Sequence, residues 1–361
     1  MLVNPIANDY LCNGVGLHPL NNRPTKFRRQ MMMEKISWGI LSTSKFAMRA
    51  TIPAMQKSKY SSVTAIASRD KARGEAVAAQ LGIPKIHESY EALLSDPEID
   101  AVYIPLPNHL HVDWTIKALK AGKHVLCEKP IGLSYSDASR LQDAAKDFPH
   151  LKVMEAFMYR HHPQWRKVKE LLAQNAIGEV KGVHSLYSYY NVDASNIRNM
   201  AEIGGGAMLD IGCYCTSLSR YVFNFEPLRV LGRIEYDPQT KIDRLSSGVL
   251  DFGSGIASFT CGTQLQPYQR VNILGTHGRI ELEIPFNAPN DRQCRIWLQK
   301  GQSIEDVSFD ICDQYTIQAD SFAQAILTNA KVFIPLSDGL ANMRVIDAVR
   351  ESAARGGWVK M

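Results

Sequence analysis

Short apolar runs alternate with amphipathic ones along the first 155 residues, and the alternation predicts strands and helices in turn. Ile36–Leu41, Val63–Ser68, Asp100–Pro105, His124–Glu128 and Leu151–Ala156 read as buried strands. The stretches 45–56, 70–81, 109–121 and 134–147 read as helices. Continuous β-type runs separated by helices predict a parallel, doubly wound sheet. Beyond residue 157 the pattern changes. A helix at 163–175 leads into Val180–Tyr190, rich in aromatic and β-branched residues, and a helix at 206–223 follows. Strand-like runs at 228–236, 245–252, 256–263, 268–275 and 278–284 are joined by turns such as Phe252-Gly253-Ser254-Gly255. Consecutive strands with short turns predict an antiparallel or mixed sheet, closed by helices at 315–329 and 338–354. The fold class is α/β, with a parallel nucleotide-binding sheet over 34–156 and an α+β substrate-binding and dimerisation domain over 157–361. Residues 1–33 carry neither periodicity and read as a flexible arm, one that packs on a neighbouring subunit, or an over-long start.

At 361 residues the chain has room for two cores. Hydrophobic residues make up 45% and charged ones 21%, an ordinary globular balance. The net charge of +5 is spread out, so nothing resembles a clustered nucleic-acid footprint. No apolar run is long enough to cross a membrane. Arg28-Arg29 is followed by no separate apolar segment and no small-residue cleavage site, against a twin-arginine export signal. Seven cysteines form no framework, and the Cys213–Cys215 pair lacks a second pair of zinc ligands. The reading is a reduced, cytoplasmic, metal-free protein.

The turn after the first strand, Ser42-Thr43-Ser44-Lys45-Phe46-Ala47, puts small residues where the dinucleotide fingerprint G-x-G-x-x-G/A has glycines. Serine and alanine still let the backbone approach a pyrophosphate at a helix N-terminus. The second strand ends in Ser68-Arg69-Asp70. An acid at that end suits the ribose 2′-hydroxyl of NAD, whereas a hydroxyl and a guanidinium suit a 2′-phosphate. The reading is NADP, with Asp70 as a helix N-cap or a displaced acid. Pro105, Asn108 and His111 follow the third of these strands along the cofactor cleft, and no catalytic role falls to His109 or His111.

Glu128-Lys129-Pro130 closes the next strand. A lysine at the carboxyl end of a parallel strand stands where open α/β sheets place their chemistry, and the proline fixes the backbone there and makes the Lys129–Pro130 bond a candidate for cis. Gly204-Gly205-Gly206 opens a helical run in which Asp210 and Tyr214, four apart, share a face. A tyrosine is too weak a base unaided, and an ammonium beside it favours the phenolate.

With Met154-Glu155-Ala156-Phe157-Met158-Tyr159-Arg160 and Gly204–Tyr214, the Glu128-Lys129-Pro130 run resembles the glucose–fructose oxidoreductase, inositol dehydrogenase and rhizopine catabolism (Gfo/Idh/MocA) family over about 35–355. Many members carry histidine where this chain has Tyr214. The tyrosine resembles the glucose–fructose oxidoreductase, dimeric dihydrodiol dehydrogenase and NADP-dependent D-xylose dehydrogenase branch, which mostly uses NADP. The resemblance implies a Rossmann domain and an open-faced mixed sheet used in homodimer or homotetramer contacts. It also implies hydride transfer between NADP and a sugar or related cyclic polyol. Tyr214 is then the general acid/base, Lys129 the group that polarises the reacting oxygen, and Asp210 the orienting acid. Tyr159, Arg160, Asn196 and Arg198 are further pocket-lining candidates. Two other readings stand beside this one: an enzyme that retains NADP and cycles between two sugars, and a non-catalytic NADP sensor.

Overall fold

The structure is a computed structural model and describes residues 35–361, so the expected arm at 1–33 lies outside the described residues. Six parallel strands form the first sheet: β1 (Ile36–Leu41), β2 (Ser61–Ala67), β3 (Lys85–His87), β4 (Ala101–Ile104), β5 (His124–Cys127) and β6 (Val153–Glu155). Their spatial order is β3-β2-β1-β4-β5-β6. The order reverses between β1 and β4, which opens a crevice at the carboxyl ends of those strands. Trp38, Ile40, Val102, Ile104, Val125 and Leu126 are wholly buried, as expected for strands covered on both faces.

The second sheet has nine strands: β7 (Val180–Tyr190), β8 (Arg229–Tyr236), β9 (Asp243–Asp251), β10 (Ile256–Gly262), β11 (Gln264–Gly275), β12 (Gly278–Leu282), β13 (Cys294–Lys300), β14 (Ser303–Phe309) and β15 (Val359–Lys360). They run in the order β14-β13-β12-β11-β7-β10-β9-β8-β15. The β7–β10 pair is parallel and the others antiparallel, so the sheet is mixed, as the turn pattern predicts. Burial alternates along β10, where Ala257, Phe259 and Cys261 point inward, the period-two signature of a sheet covered on one face. The helix Cys213–Phe223 packs on β7 and β10, and the helix Leu336–Arg355 packs on β8 and on the helix Tyr135–Ala145 of the first sheet.

Four strands escape the periodicity reading, among them β15, whose two residues are too few to show a period. The three residues of β3 are too few to show a period. The strands β13 and β14 lie beyond the turn-rich stretch after β12, and Glu305 and Asp306 of β14 are exposed on a sheet edge. Edge strands carry charge without losing their pairing.

Both helices that enter the crevice contain a π turn, at Ala47–Thr51 and at Met208–Gly212, a feature often found where a helix serves a site. The second follows Gly206, whose φ of 115° belongs to glycine. An added Cβ there would lie on Asp243, whose carboxylate already accepts from the N–H of Met208 at 2.6 Å. Gly206→Ala is therefore expected to lower stability by about 2–4 kcal/mol. Denaturant titration checks this, and a midpoint equal to that of the unsubstituted protein would contradict it.

Candidate active site

The crevice is built from strand ends and helix starts, each of which fixes one part of it. At the end of β1 the Ser42 N–H donates to the Ala67 carbonyl at 3.1 Å, and Ser42 takes a φ of 124°. The serine thus adopts the backbone that the fingerprint glycine normally supplies. Among the described residues the N–H groups of Thr43, Ser44 and Lys45 have no hydrogen-bond acceptor, so the loop presents open donors at the start of the helical run 45–56. Lys45 is exposed, and Phe46 sits edge-on to Tyr315 with centroids 5.9 Å apart.

At the end of β2, Asp70 caps the helix Lys71–Leu81 by accepting from the Arg73 N–H at 3.1 Å. Asp70 thus serves as the N-cap through Oδ1, while Oδ2 has no partner among the described residues. Ser68 is buried, its Oγ accepting from the Asp70 N–H, and Arg69 is exposed. Arg73, absent from the sequence reading, reaches back to the Thr43 carbonyl at 2.8 Å. Its place in the first turn of a helix that follows the second strand is the signal that would have found it. Two arginines and a hydroxyl therefore gather at the end of β2.

Lys129 sits beyond β5, and its peptide bond to Pro130 is cis. Its Nζ donates to Asp210 Oδ1 at 2.9 Å and to the Asp210 carbonyl at 2.6 Å. Asp210 lies in the second π turn, and its other oxygen accepts from Tyr189 at 2.6 Å and from Arg198 Nε at 3.1 Å. Burial opposes the charge on Asp210, but Arg198, Lys129 and the hydrogen bonds outweigh it and hold the carboxyl well below its usual range. Burial likewise opposes the Lys129 ammonium, and Asp210 reverses that and raises its pKa. Both groups are charged across the physiological range. Tyr189 was missed by sequence reading, although period two puts it on the same face of β7 as the buried Val183, Ser185 and Tyr187.

Tyr214 joins the cluster through its ring and not through its hydroxyl. Lys129 Nζ lies 5.3 Å from the ring centroid, and the Tyr214 hydroxyl points 3.5 Å from Met158 Sδ. Phe157, Tyr159, Tyr187 and Phe286 surround the ring. Burial first, then Tyr187, pushes the phenol well above its ordinary value. The expectation that the ammonium favours a phenolate is thus corrected: Tyr214 is held neutral, and its proton has only a thioether, a weak acceptor, to meet.

Beside Lys129, Glu128 Oε1 accepts from the Tyr103 hydroxyl at 2.6 Å. Asn108 Nδ2 donates to the Gly204 carbonyl at 2.8 Å and ties the turn after β4 to the glycine-rich loop, while Pro105 is buried at that turn.

Four further expectations meet a different arrangement. Tyr159 and Arg160 are buried: the Tyr159 hydroxyl pairs with Ser217 Oγ at 2.9 Å, and Arg160 bonds Ser217 and pairs with Asp338 at 3.0 Å. They are core residues, because a buried guanidinium needs those partners. Asn196 caps the turn Ile197–Asn199 by accepting from the Arg198 N–H. His111 is wholly buried, with Nδ1 2.7 Å from the Pro130 carbonyl and Nε2 2.8 Å from the Leu106 carbonyl, so no ring nitrogen is left for a cofactor. Among the described residues no group of three His, Cys, Asp or Glu is arranged to hold a metal, and no helix is long and apolar enough to cross a membrane.

Residues 36–157 match the family described as "Oxidoreductase family, NAD-binding Rossmann fold", and residues 165–281 match the "GFO/IDH/MocA C-terminal domain". An uncharacterised oxidoreductase of Rhizobium meliloti is 42% identical over 90% of this chain and 99% of its own. The chain belongs to the Gfo/Idh/MocA oxidoreductase family. A D-xylose 1-dehydrogenase (NADP(+)) of Haloferax volcanii is 38% identical over 90% of this chain and 99% of its own. Among solved structures, a 3-ketoreductase from Actinomadura kijaniata in complex with NADP and TDP-benzene superposes with a TM-score of 0.83 at 30% identity. That match covers 88% of this chain and 98% of the other. An aldose-aldose oxidoreductase from Caulobacter crescentus gives a TM-score of 0.84 at 25% identity over 91% and 100%.

One buried acid stands behind this oxidoreductase site. Glu155, at the end of β6, has one oxygen on the Ile131 N–H at 2.8 Å and another with no partner among the described residues. Burial, then Asp338, raises its pKa from 4.5 to about 8, against weaker pulls from the Ile131 N–H, Arg160 and Arg220. The folded state keeps the proton that the unfolded state gives up. Stability from this group is therefore full below the unfolded value and is lost as pH rises towards 8, by on the order of a few kcal/mol. Glu155→Gln is expected to melt above the unsubstituted protein at pH 8 and to lose that lead towards pH 5. A constant gap between the two melting curves would contradict it.

Proposed function

We propose that the protein is an NADP-dependent oxidoreductase that transfers hydride between the nicotinamide and a carbinol or carbonyl carbon of a sugar, an aldose such as D-xylose or D-glucose foremost. The observation that carries this is the Lys129–Asp210 pair, a fully charged ammonium fixed at 2.9 Å from its carboxylate at the end of β5. Residues 34–156 hold the dinucleotide in this reading, and 157–361 hold the sugar and the subunit contact. That contact falls on the open sheet face around His184, Leu186, Val249, Thr260 and Arg270.

The residues fit the cofactor. The glycine-like backbone of Ser42 and the open N–H groups of Thr43, Ser44 and Lys45 suit a pyrophosphate. Ser68, Arg69 and Arg73 suit a 2′-phosphate, and Asp70 spends one carboxylate oxygen on capping its helix. The NADP in the names of the xylose dehydrogenase and of the ketoreductase complex agrees with that chemistry. The bound nicotinamide supplies the hydride donor or acceptor.

The protein's own part is proton and charge control. Lys129 donates to the reacting oxygen and stabilises negative charge as it develops there. Asp210 keeps Lys129 protonated and aimed, and with both oxygens already engaged it has little left for the substrate. The neutral Tyr214 gives its proton to the carbonyl oxygen on reduction; for oxidation it must first release that proton to solvent, and the phenolate then takes the hydroxyl proton. Its weak contact with Met158 is readily exchanged for a substrate oxygen. Arg198, with Nε on Asp210 and its side chain 37% exposed, is the residue placed to meet substrate hydroxyls.

Nicotinamide absorbance with purified protein, NADP or NAD, and a panel of D-xylose, D-glucose, other aldoses, inositol and a trans-dihydrodiol tests the reading. Turnover with NADP on an aldose is expected, and Lys129→Met should cut it by about 10²-fold or more. Silence across the panel with nucleotide still bound after purification would favour the retained-cofactor enzyme or the sensor. A preference for NAD would sink the assignment of Ser68, Arg69 and Arg73.

A further inference from the structure

The amide between Pro130 and Ile131 follows directly on Lys129-Pro130, and it is gripped at both polar ends. His111 Nδ1 lies 2.7 Å from its carbonyl, and its N–H donates to Glu155 Oε1 at 2.8 Å. The two partners come from different elements: His111 opens the helix His111–Lys120, and Glu155 closes β6. Both are buried, at 0% and 1% exposure. His111 Nε2 lies 2.8 Å from the Leu106 carbonyl in the turn after β4, and since burial holds the imidazole neutral its single N–H serves one of these two carbonyls. Among the described residues the Glu155 side chain makes no other hydrogen bond, its second oxygen being unpartnered.

Placing two ionisable side chains around one buried peptide is costly. An amide side chain would satisfy either end with a smaller desolvation penalty. Their location accounts for the cost. Farther along the loop Leu133 is held by Asp137 and Arg350, each at 3.1 Å. The His111–amide–Glu155 clamp holds the chain just after Lys129, as the Glu128 N–H on the Ile104 carbonyl at 3.1 Å holds it just before. A lysine ammonium rides on a flexible four-carbon stem, so its placement depends on where its backbone is anchored. A shift of about 1 Å at a reacting group costs on the order of 10²-fold in rate.

We infer that His111 and Glu155 are positioning residues, which fix the Pro130–Ile131 amide and so deliver Lys129 Nζ to Asp210 and to the reacting oxygen. Neither touches substrate, and the inference rests on the reading of Lys129 as the oxygen-binding group.

The test compares Glu155→Leu with Glu155→Gln, which retains a carbonyl oxygen for the Ile131 N–H. Glu155→Leu should lower kcat by about 30-fold or more, with sugar KM and NADP affinity within about threefold, and Glu155→Gln should recover to within about threefold of the unsubstituted enzyme. A second readout needs no turnover. Trace labelling with acetic anhydride, quantified by mass spectrometry against the exposed Lys59, should rise at Lys129 in Glu155→Leu, as its amine leaves Asp210, and return in Glu155→Gln. Equal kcat and equal labelling in a folded Glu155→Leu protein would overturn the inference, as would a Glu155→Gln variant no better than Glu155→Leu. If the unsubstituted protein turns over no sugar, the functional reading fails and the labelling alone judges the clamp. If Glu155→Leu does not fold, His111→Leu takes its place, with the same losses expected and the same null result overturning the inference.

Discussion

A buried ammonium facing a buried carboxylate is the constraint on which this site depends. Lys129 and Asp210 are 12% and 11% exposed, and taking both from water is favourable only if every lone pair and proton finds a partner. The surrounding chain answers that requirement. Two bonds from Lys129 reach Asp210, and the far carboxylate oxygen takes Tyr189 from β7 and Arg198 from the loop before the glycines. Lys129 belongs to the parallel sheet and Asp210 to a helical segment against the mixed one, so satisfying the pair also joins the two sheets. The glycines serve the same end. Gly205 has no room for a side chain against the carbonyls of Arg198 and Met200, and it brings Arg198 back over Asp210.

The aromatic floor beneath the pair sets its chemistry. Tyr187 and Phe286 stack with centroids 4.9 Å apart, and Tyr214 lies against both. In that apolar setting a phenolate is disfavoured and an ammonium near a ring face is favoured. The site therefore holds a neutral acid beside a permanent cation. This combination suits a carbonyl oxygen that is becoming an alkoxide, because one group supplies charge and the other a proton. Oxidation needs Tyr214 to have given its proton to solvent beforehand, and it draws on the same cation to stabilise the substrate oxygen as its proton leaves.

The two sheets, the lysine at the end of a strand and the Asp210–Tyr214 spacing could all be read from the chain, because each shows itself in local period or in a residue type at a strand end. Less legible was what a side chain does once buried. Tyr159 and Arg160 stand in a run that looks like a binding motif, yet Ser217 and Asp338 claim them. Arg198 and Asn196 are two residues apart in one loop, and only the first reaches the acid, because the second turns back to cap its own backbone. The role of Tyr189 depends on strand pairing that brings β7 beside the π turn, a relation no local pattern expresses. The serine at position 42 illustrates the converse: its sequence breaks the fingerprint while its backbone keeps the glycine conformation, so the expression fails where the geometry holds.

The run Val153–Arg160 then acquires a meaning different from the one its sequence invites. Glu155 grips the peptide after Lys129-Pro130, Met158 receives the Tyr214 hydroxyl, and Arg160 joins Arg220 and Asp338 at the start of the helix Leu336–Arg355. Each of these contacts reaches a different part of the site, the peptide beside the cation, the hydroxyl of Tyr214 and the start of the last long helix. A short strand and the turn after it thus act as a common brace for the cation, the acid and the last long helix. The residues that perform the chemistry in the proposed reaction are few, Lys129 from a strand end and Asp210 and Tyr214 from one helical run. In the proposed reaction their placement is supported by a segment whose side chains are buried behind them.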